Sequence, residues 1–299
     1  MKFGSLRRLL PHKAPASVRA PEAPLFDIQD LHPERRGRNE AKIRAMCDPV
    51  GLNPGNALAR VLGRYKMYVD PNDFGLSPHL LLDGFWEMGT TEAIVECLRP
   101  GMVAADVGAN IGYFSMLMAD IVGPNGRVFA FEPNHSMAER IRRSSYLNGL
   151  TGTISVQSMA LAEKAHVVCF VIPGDEPKNA YIMPYENGVV PAGAVLIETE
   201  RLDARPEWRD IEFLKIDAEG AEQQIWAGAS GLRAHDKLKT IILEFQPARY
   251  ANARAFLADI MSWGFALEWI DPNRGILPIS LDDIMARDPK EDIMLVFRR

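Results

Sequence analysis

The chain has little cysteine, no long apolar run and no surplus of basic charge, and each shortage narrows what it does. Its three cysteines, Cys47, Cys97 and Cys169, stand far apart with no Cys-x-x-Cys pair. That spacing argues against a disulfide framework or a structural zinc site and fits a reducing, cytoplasmic setting. No stretch approaches the roughly 20 apolar residues that a membrane helix needs. The net charge of −5 supplies no global field that would draw nucleic acid. The first 20 residues are basic and acid-free, but Leu9-Leu10-Pro11 is too short and broken to serve as the apolar region of a signal peptide.

What is present is an ordinary globular composition, 47% hydrophobic and 24% charged over 299 residues, enough for one large domain or two small ones. Pro11, Pro15, Pro21 and Pro24 mark residues 1–35 as an expected mobile tail. Residues 36–98 are expected to form a helical extension that caps the rest. Helical spacing runs over 39–63, with Ile43, Met46 and Cys47 on one face and Leu58, Val61 and Leu62 following Pro54-Gly55. Residues 65–69 alternate like a strand, Asp70-Pro-Asn-Asp73 is a turn, and 77–98 is helical in two pieces.

From Pro100-Gly101 onward, strands predicted at 103–107, 128–132, 154–157, 213–217, 240–245, 265–270 and 293–297 alternate with helices predicted at 112–121, 136–148 and 253–263 and around Ile225-Trp226. A strand-rich insert, clearest at 166–172 and 194–198, interrupts them. This alternation predicts one α/β domain over 99–299, a mostly parallel sheet with helices on both faces.

The run Asp106-Val-Gly108-Ala109-Asn110-Ile-Gly112-Tyr113-Phe114 is a buried strand breaking into a glycine turn that opens a helix. Such turns bring backbone N–H groups beside a ligand. Ser115 stands where a third glycine would complete the pyrophosphate fingerprint, which disfavours an NAD-type oxidoreductase. Asp106 would repel phosphate but accept a cationic amino group. Glu132, ending the next strand, is placed to accept hydrogen bonds from both hydroxyls of a ribose, with Pro133 and Asn134 shaping the loop beside it.

A second constellation reads Phe213-Leu-Lys215-Ile-Asp217-Ala-Glu219-Gly-Ala-Glu222. Alternation puts Lys215 and Asp217 on one face. Ionisable groups inside an apolar strand are costly unless paired, and helix-dipole preference explains Glu219 and Glu222 but not a lysine within a strand. Glu244 ends a third strand and is expected to face the same cleft.

Together these segments resemble the FkbM family of S-adenosylmethionine-dependent methyltransferases. The motifs that carry the resemblance are Asp106-Val-Gly-Ala-Asn-Ile-Gly112, Phe131-Glu-Pro-Asn134, Leu214-Lys-Ile-Asp-Ala-Glu-Gly-Ala-Glu222, Ile242-Leu-Glu244 and the Leu202-Asp203 step. The resemblance runs from about residue 74 to the C-terminus, and Gly84-Phe-Trp-Glu87 looks like its lead-in and cap. It implies a Rossmann-like class I sheet and O-methylation of a hydroxyl on a sugar, glycan or polyketide-type product. Asp106, Gly108, Ala109, Asn110, Gly112, Tyr113, Phe114, Glu132, Pro133 and Asn134 would then bind the cofactor. Asp217 would act as base or orient the acceptor, with Glu219 and Glu244 as second choices and Lys215 holding Asp217. Asp217, Glu219 and Glu244 are also the set that would hold Mg²⁺ if the reaction used one. A cofactor-binding protein without catalysis is the alternative. The insert over 165–200, with Pro173-Gly-Asp175, Tyr181 and Tyr185, is expected to line the acceptor pocket.

Overall fold

Short, branched and small apolar residues dominate the segments that become the central strands, and they are buried on both faces. The computed structural model describes residues 25–172 and 180–299. The proline-bearing start of the chain and Pro173-Gly-Asp175 lie outside the described residues. In chain order the N-terminal part comprises α1 (Arg36–Met46), β1 (Val50–Asn53), β2 (Asn56–Val61), β3 (Tyr65–Val69), α2 (Ser77–Leu82) and α3 (Met88–Cys97). The first half of the main sheet follows as β4 (Val103–Val107), α4 (Tyr113–Val122), β5 (Arg127–Phe131), α5 (His135–Leu147) and β6 (Ile154–Gln157). The insert holds β7 (Ala160–Leu161), β8 (Val167–Val171), β9 (Tyr181–Pro184) and β10 (Ala194–Glu200). The second half is β11 (Phe213–Ile216), α6 (Glu222–Ala227), α7 (Ser230–His235), β12 (Thr240–Phe245) and α8 (Ala253–Met261). The chain closes with β13 (Ala266–Asp271), β14 (Gly275–Pro278), α9 (Leu281–Met285) and β15 (Ile293–Arg298).

The main sheet has eight strands in the order β14-β13-β15-β12-β11-β4-β5-β6. Strands β6, β5, β4, β11 and β12 pair in parallel, and β15 runs antiparallel between β12 and β13. The chain steps outward from β4 to β6, then returns to β11 on the other side of β4. The direction of winding therefore reverses between β4 and β11, the switch point at which open α/β sheets bind ligands beyond the carboxyl ends of their strands. Apolar layers cover both faces: α3, α4 and α5 supply Ile94, Leu117 and Ile141 on one side, and α6 and α8 supply Ile225 and Leu257 on the other. Helix α4 is buried almost all round, as a helix between a sheet and a further layer must be. Among the described residues, no helix is long and apolar enough to cross a membrane.

The N-terminal segment departs from its predicted form. Helical spacing predicts one face for Leu58, Val61 and Leu62, but these residues belong to a three-stranded antiparallel sheet, β1-β2-β3, and the turn that follows β2. The buried positions of β2 are Ala57, Ala59 and Val61, with a period of two, while Leu58 is only half-buried. Small alanines carry the inward face, so the larger leucines give a misleading period. Pro54-Gly55 is thus a hairpin turn rather than a break between helices, with Gly55 at φ +78°. The tail also ends earlier than its proline content suggests: Phe26, Ile28 and Leu31 are buried, and the Phe26 N–H donates to Gly63 O at 3.3 Å.

Phe26 is fully buried, so Phe26→Ala is expected to cost about 3–5 kcal/mol through lost burial and an unfilled cavity. Urea denaturation of the two proteins measures it; an unchanged midpoint would remove residues 25–35 from the core.

Candidate active site

The register of the sheet builds the centre of the site. Lys215 lies directly across from Asp106 in the β11–β4 ladder, so both side chains emerge on one face. Lys215 and Asp106 are both buried. The Lys215 Nζ donates to Asp217 Oδ2 at 3.0 Å and stands 3.9 Å from Asp106 Oδ1. It also lies over the Phe114 ring, 4.8 Å from the centroid, a favourable cation–π placement. Burial works against the Lys215 ammonium, but Asp217, Asp106 and Glu87 outweigh it and hold its pKa above the usual lysine range. Burial pushes the Asp106 carboxyl up, against the pull of Lys215 and of Ser115. The Ser115 hydroxyl donates to Asp106 Oδ2 at 2.6 Å.

The turn from β4 to α4 passes close over β11. A Cβ on Gly108, which sits at φ +77°, would lie 1.7 Å from Asp217 O, so only glycine fits there. Gly108 and Ala109 donate their N–H groups to Phe131 O at 3.1 and 3.0 Å, locking the turn against the end of β5. Glu132 then accepts from Asn110 N and Asn134 N, each at 2.7 Å. Burial pushes Glu132 up to about 7 despite these two N–H groups. The carboxylate is thereby held rigidly by backbone at the end of β5, with lone pairs left for a ligand.

Most of the predicted residues meet in one cavity. Gly108, Ala109, Asn110, Tyr113, Phe114, Glu132, Pro133, Lys215, Asp217, Glu219 and Glu244 all line it. Three do not. Asp106 lies beneath the wall, because its position within β4 aims it between the sheet and α4. Gly112 sits behind the turn at φ +87°, its α-carbon packed on Ile141. Asn134 braces Glu132 through its N–H and caps α5 by accepting from Ser136 N. Tyr181 of the insert lines the cavity, together with Phe170 and Ile182, whereas Tyr185 lies outside it. Trp86 and Glu87, from the segment ahead of α3, form part of the wall.

Sequence reasoning missed Arg249. Asp217, Glu219 and Glu244 bring carboxylate oxygens within 4.8 Å of one another. The cation found among them is the Arg249 guanidinium, which bonds Glu244 Oε2 at 2.7 Å and Glu219 Oε2 at 2.9 Å. Its signal is faint: an arginine five residues beyond Glu244, after Pro247. Burial and the charge of Asp217 raise Glu219 to about 7, and the same causes push Glu244 higher, both opposed by Arg249. Glu222, which helix-dipole preference explains on sequence, is fully buried and accepts from Ala218 N, Gly220 N and Tyr250 OH. It holds the 218–220 loop in shape. Asp203 likewise braces the scaffold, bonding Arg201 and the Gly231 N–H at the start of α7.

Replacing Arg249 leaves two half-buried carboxylates facing each other. Arg249→Gln is expected to destabilise the fold by about 3 kcal/mol near pH 8. Without the guanidinium both carboxyls bind protons more readily, and each proton removes repulsion, so the deficit shrinks as the pH falls through about 7, the value to which Glu219 is raised, and is smaller near pH 6 than near pH 8. Denaturation at both pH values checks the sign; a deficit that grows on acidification contradicts the assigned role.

Residues 106–275 match the family described as methyltransferase FkbM domain. Among curated proteins, a protein-L-isoaspartate O-methyltransferase of Methanothrix thermoacetophila is 29% identical over 123 residues, covering 37% of this chain and 58% of its own. One of the same description from Aeropyrum pernix is 41% identical over 133 residues, 40% of this chain and 51% of its own. The chain spans little more than half the length of these relatives. Among solved structures, a SAM-dependent O-methyltransferase from Thermotoga maritima aligns with 83% of this chain and 94% of its own at 12% identity, with a TM-score of 0.39. The family match extends over more than half of the sequence, and the chain belongs to the methyltransferase FkbM domain family.

Proposed function

We propose that this protein is an S-adenosylmethionine-dependent O-methyltransferase that acts on a neutral hydroxyl of a sugar, glycan or polyketide-type product in the cytoplasm. One observation carries the reading. A glycine turn at the switch point separates a backbone-held carboxylate, Glu132, from a lysine-held one, Asp217, within a single cavity. The first arrangement suits a ribose and the second suits a reacting hydroxyl. The unpaired state of Cys47, Cys97 and Cys169 supports a reducing compartment.

When bound, S-adenosylmethionine supplies a methyl group made electrophilic by its sulfonium. The chain's own task is to hold an alcohol in line with that group and to take its proton. Asp217 is the residue for both. Lys215 fixes its Oδ2, which would leave Oδ1 to take the proton that the hydroxyl gives up. Glu219 and Glu244 are engaged by Arg249 and frame the acceptor side of the pocket. Phe170, Tyr181 and Ile182 of the insert supply the apolar part of the acceptor wall.

The charge of the cavity favours this choice of substrate. Among the described residues, Glu87, Glu132, Asp217, Glu219 and Glu244 line it, and Lys215 and Arg249 pair with three of these five. Such a surplus attracts a sulfonium and opposes the pyrophosphate of a nicotinamide dinucleotide. It also disfavours a carboxylate acceptor such as the L-isoaspartate named for the curated relatives. Three carboxylates would suit Mg²⁺ as donors, but Arg249 already pairs with two of them, so the set does not fit a resident divalent ion.

The calorimetric expectation is saturable S-adenosylmethionine binding, weakened about tenfold or more in Glu132→Ala, the worth of a charge-assisted hydrogen bond. No binding by the folded wild type would sink the reading. With an accepted alcohol, Asp217→Asn should lower kcat by about 10²–10⁴ with donor affinity nearly unchanged; full activity in that variant would remove Asp217 as the base. Chelation by EDTA should leave the transfer rate unchanged, and a rate restored only by added Mg²⁺ would overturn the assignment of Arg249.

A further inference from the structure

We propose that Glu87, which precedes the matched domain, receives the ammonium of the donor's amino-acid end. The inference rests on the S-adenosylmethionine reading above. With the ribose on Glu132, the other end of the donor must lie across the glycine turn, toward the first turn of α4 and the end of β11. That end is a zwitterion, and it needs an anion beside a cation. On the sequence, Asp106 is the anion for the ammonium, but Asp106 is fully buried beneath the cavity wall. From the end of β11 both Lys215 and Asp217 reach the cavity, but Asp217 is taken by Lys215 and, in the reading above, by the acceptor.

Glu87 supplies the missing sign. It lines the same cavity as Tyr113, Phe114 and Lys215, and its charge is felt at both Lys215 and Tyr113. Its backbone is left-handed, at φ +37°, which is uncommon for glutamate and persists only where surrounding contacts impose it. Those contacts are present. Glu87 O accepts from Thr91 N at 2.9 Å, and the Thr91 hydroxyl lies 3.0 Å from both Trp86 O and Tyr113 OH. Tyr113 is the first residue of α4, so the segment bearing Glu87 is pinned to the helix start that borders the donor pocket. Glu87 beside Lys215 therefore makes the anion–cation pair that an ammonium and a carboxylate require. Glu87 lies outside residues 106–275, and the fold alone brings it to the site.

Two ligands isolate this role in the full-length chain. S-adenosylhomocysteine carries the amino-acid end, and 5′-methylthioadenosine lacks it. Glu87→Gln, which keeps the shape of the side chain, should weaken S-adenosylhomocysteine about tenfold or more by calorimetry and leave 5′-methylthioadenosine unchanged. Unchanged affinity for S-adenosylhomocysteine overturns the assignment. Equal losses for both ligands also overturn it, because they report a structural role. If the wild type binds neither ligand, the S-adenosylmethionine reading fails with it.

Discussion

A lysine ammonium buried between two strands is the constraint around which the site is arranged. Lys215 is 1% exposed, and an unpaired ammonium at that depth would cost several kcal/mol. Asp106, directly across the ladder, and Asp217, two residues on, offset that cost together with the Phe114 face. Each partner also does something else. Asp106 binds Ser115 and so ties β4 to α4. Asp217 closes against the glycine turn, with its carbonyl against the α-carbon of Gly108. One buried charge thus joins β4 and the glycine turn to the end of β11.

The remaining carboxylates are restrained by different means. Glu132 is held by two backbone N–H groups, which fix its position without neutralising it. Glu219 and Glu244 share a guanidinium, which limits their repulsion while leaving them in the wall. Cations are held close to Asp217, Glu219 and Glu244, and only dipoles hold Glu132.

Parts of the chain outside the central alternation complete the cavity. Leu76, Trp86 and Glu87 close it from the N-terminal segment, and Phe170, Tyr181 and Ile182 close it from the insert. The glycine turn and the Lys-Ile-Asp strand supply one side of the cavity, and these two additions supply much of the rest of its wall. Loops and insertions on a rigid scaffold are where differences in shape accumulate.

The sequence by itself determined the alternating sheet, the turn at Gly108, the carboxylates at the ends of three strands and the pairing of Lys215 with Asp217. Each is a local property: hydrophobic periodicity, glycine at a strand end, and the two-residue repeat that puts Lys215 and Asp217 on one face. Alanines on the inward face of β2 hid a strand, since periodicity is read from large residues. Tertiary structure alone decided which carboxylates reach the cavity and which stay beneath it. Asp106 looks like a ligand-facing residue on sequence, yet strand register turns it toward Ser115 and Lys215. Glu87 is remote in sequence from the residues it joins, and Arg249, five residues beyond Glu244, is remote from Glu219. Their roles exist only because the reversal of winding between β4 and β11 brings separate strand ends, and the segment before α3, around one charged cleft.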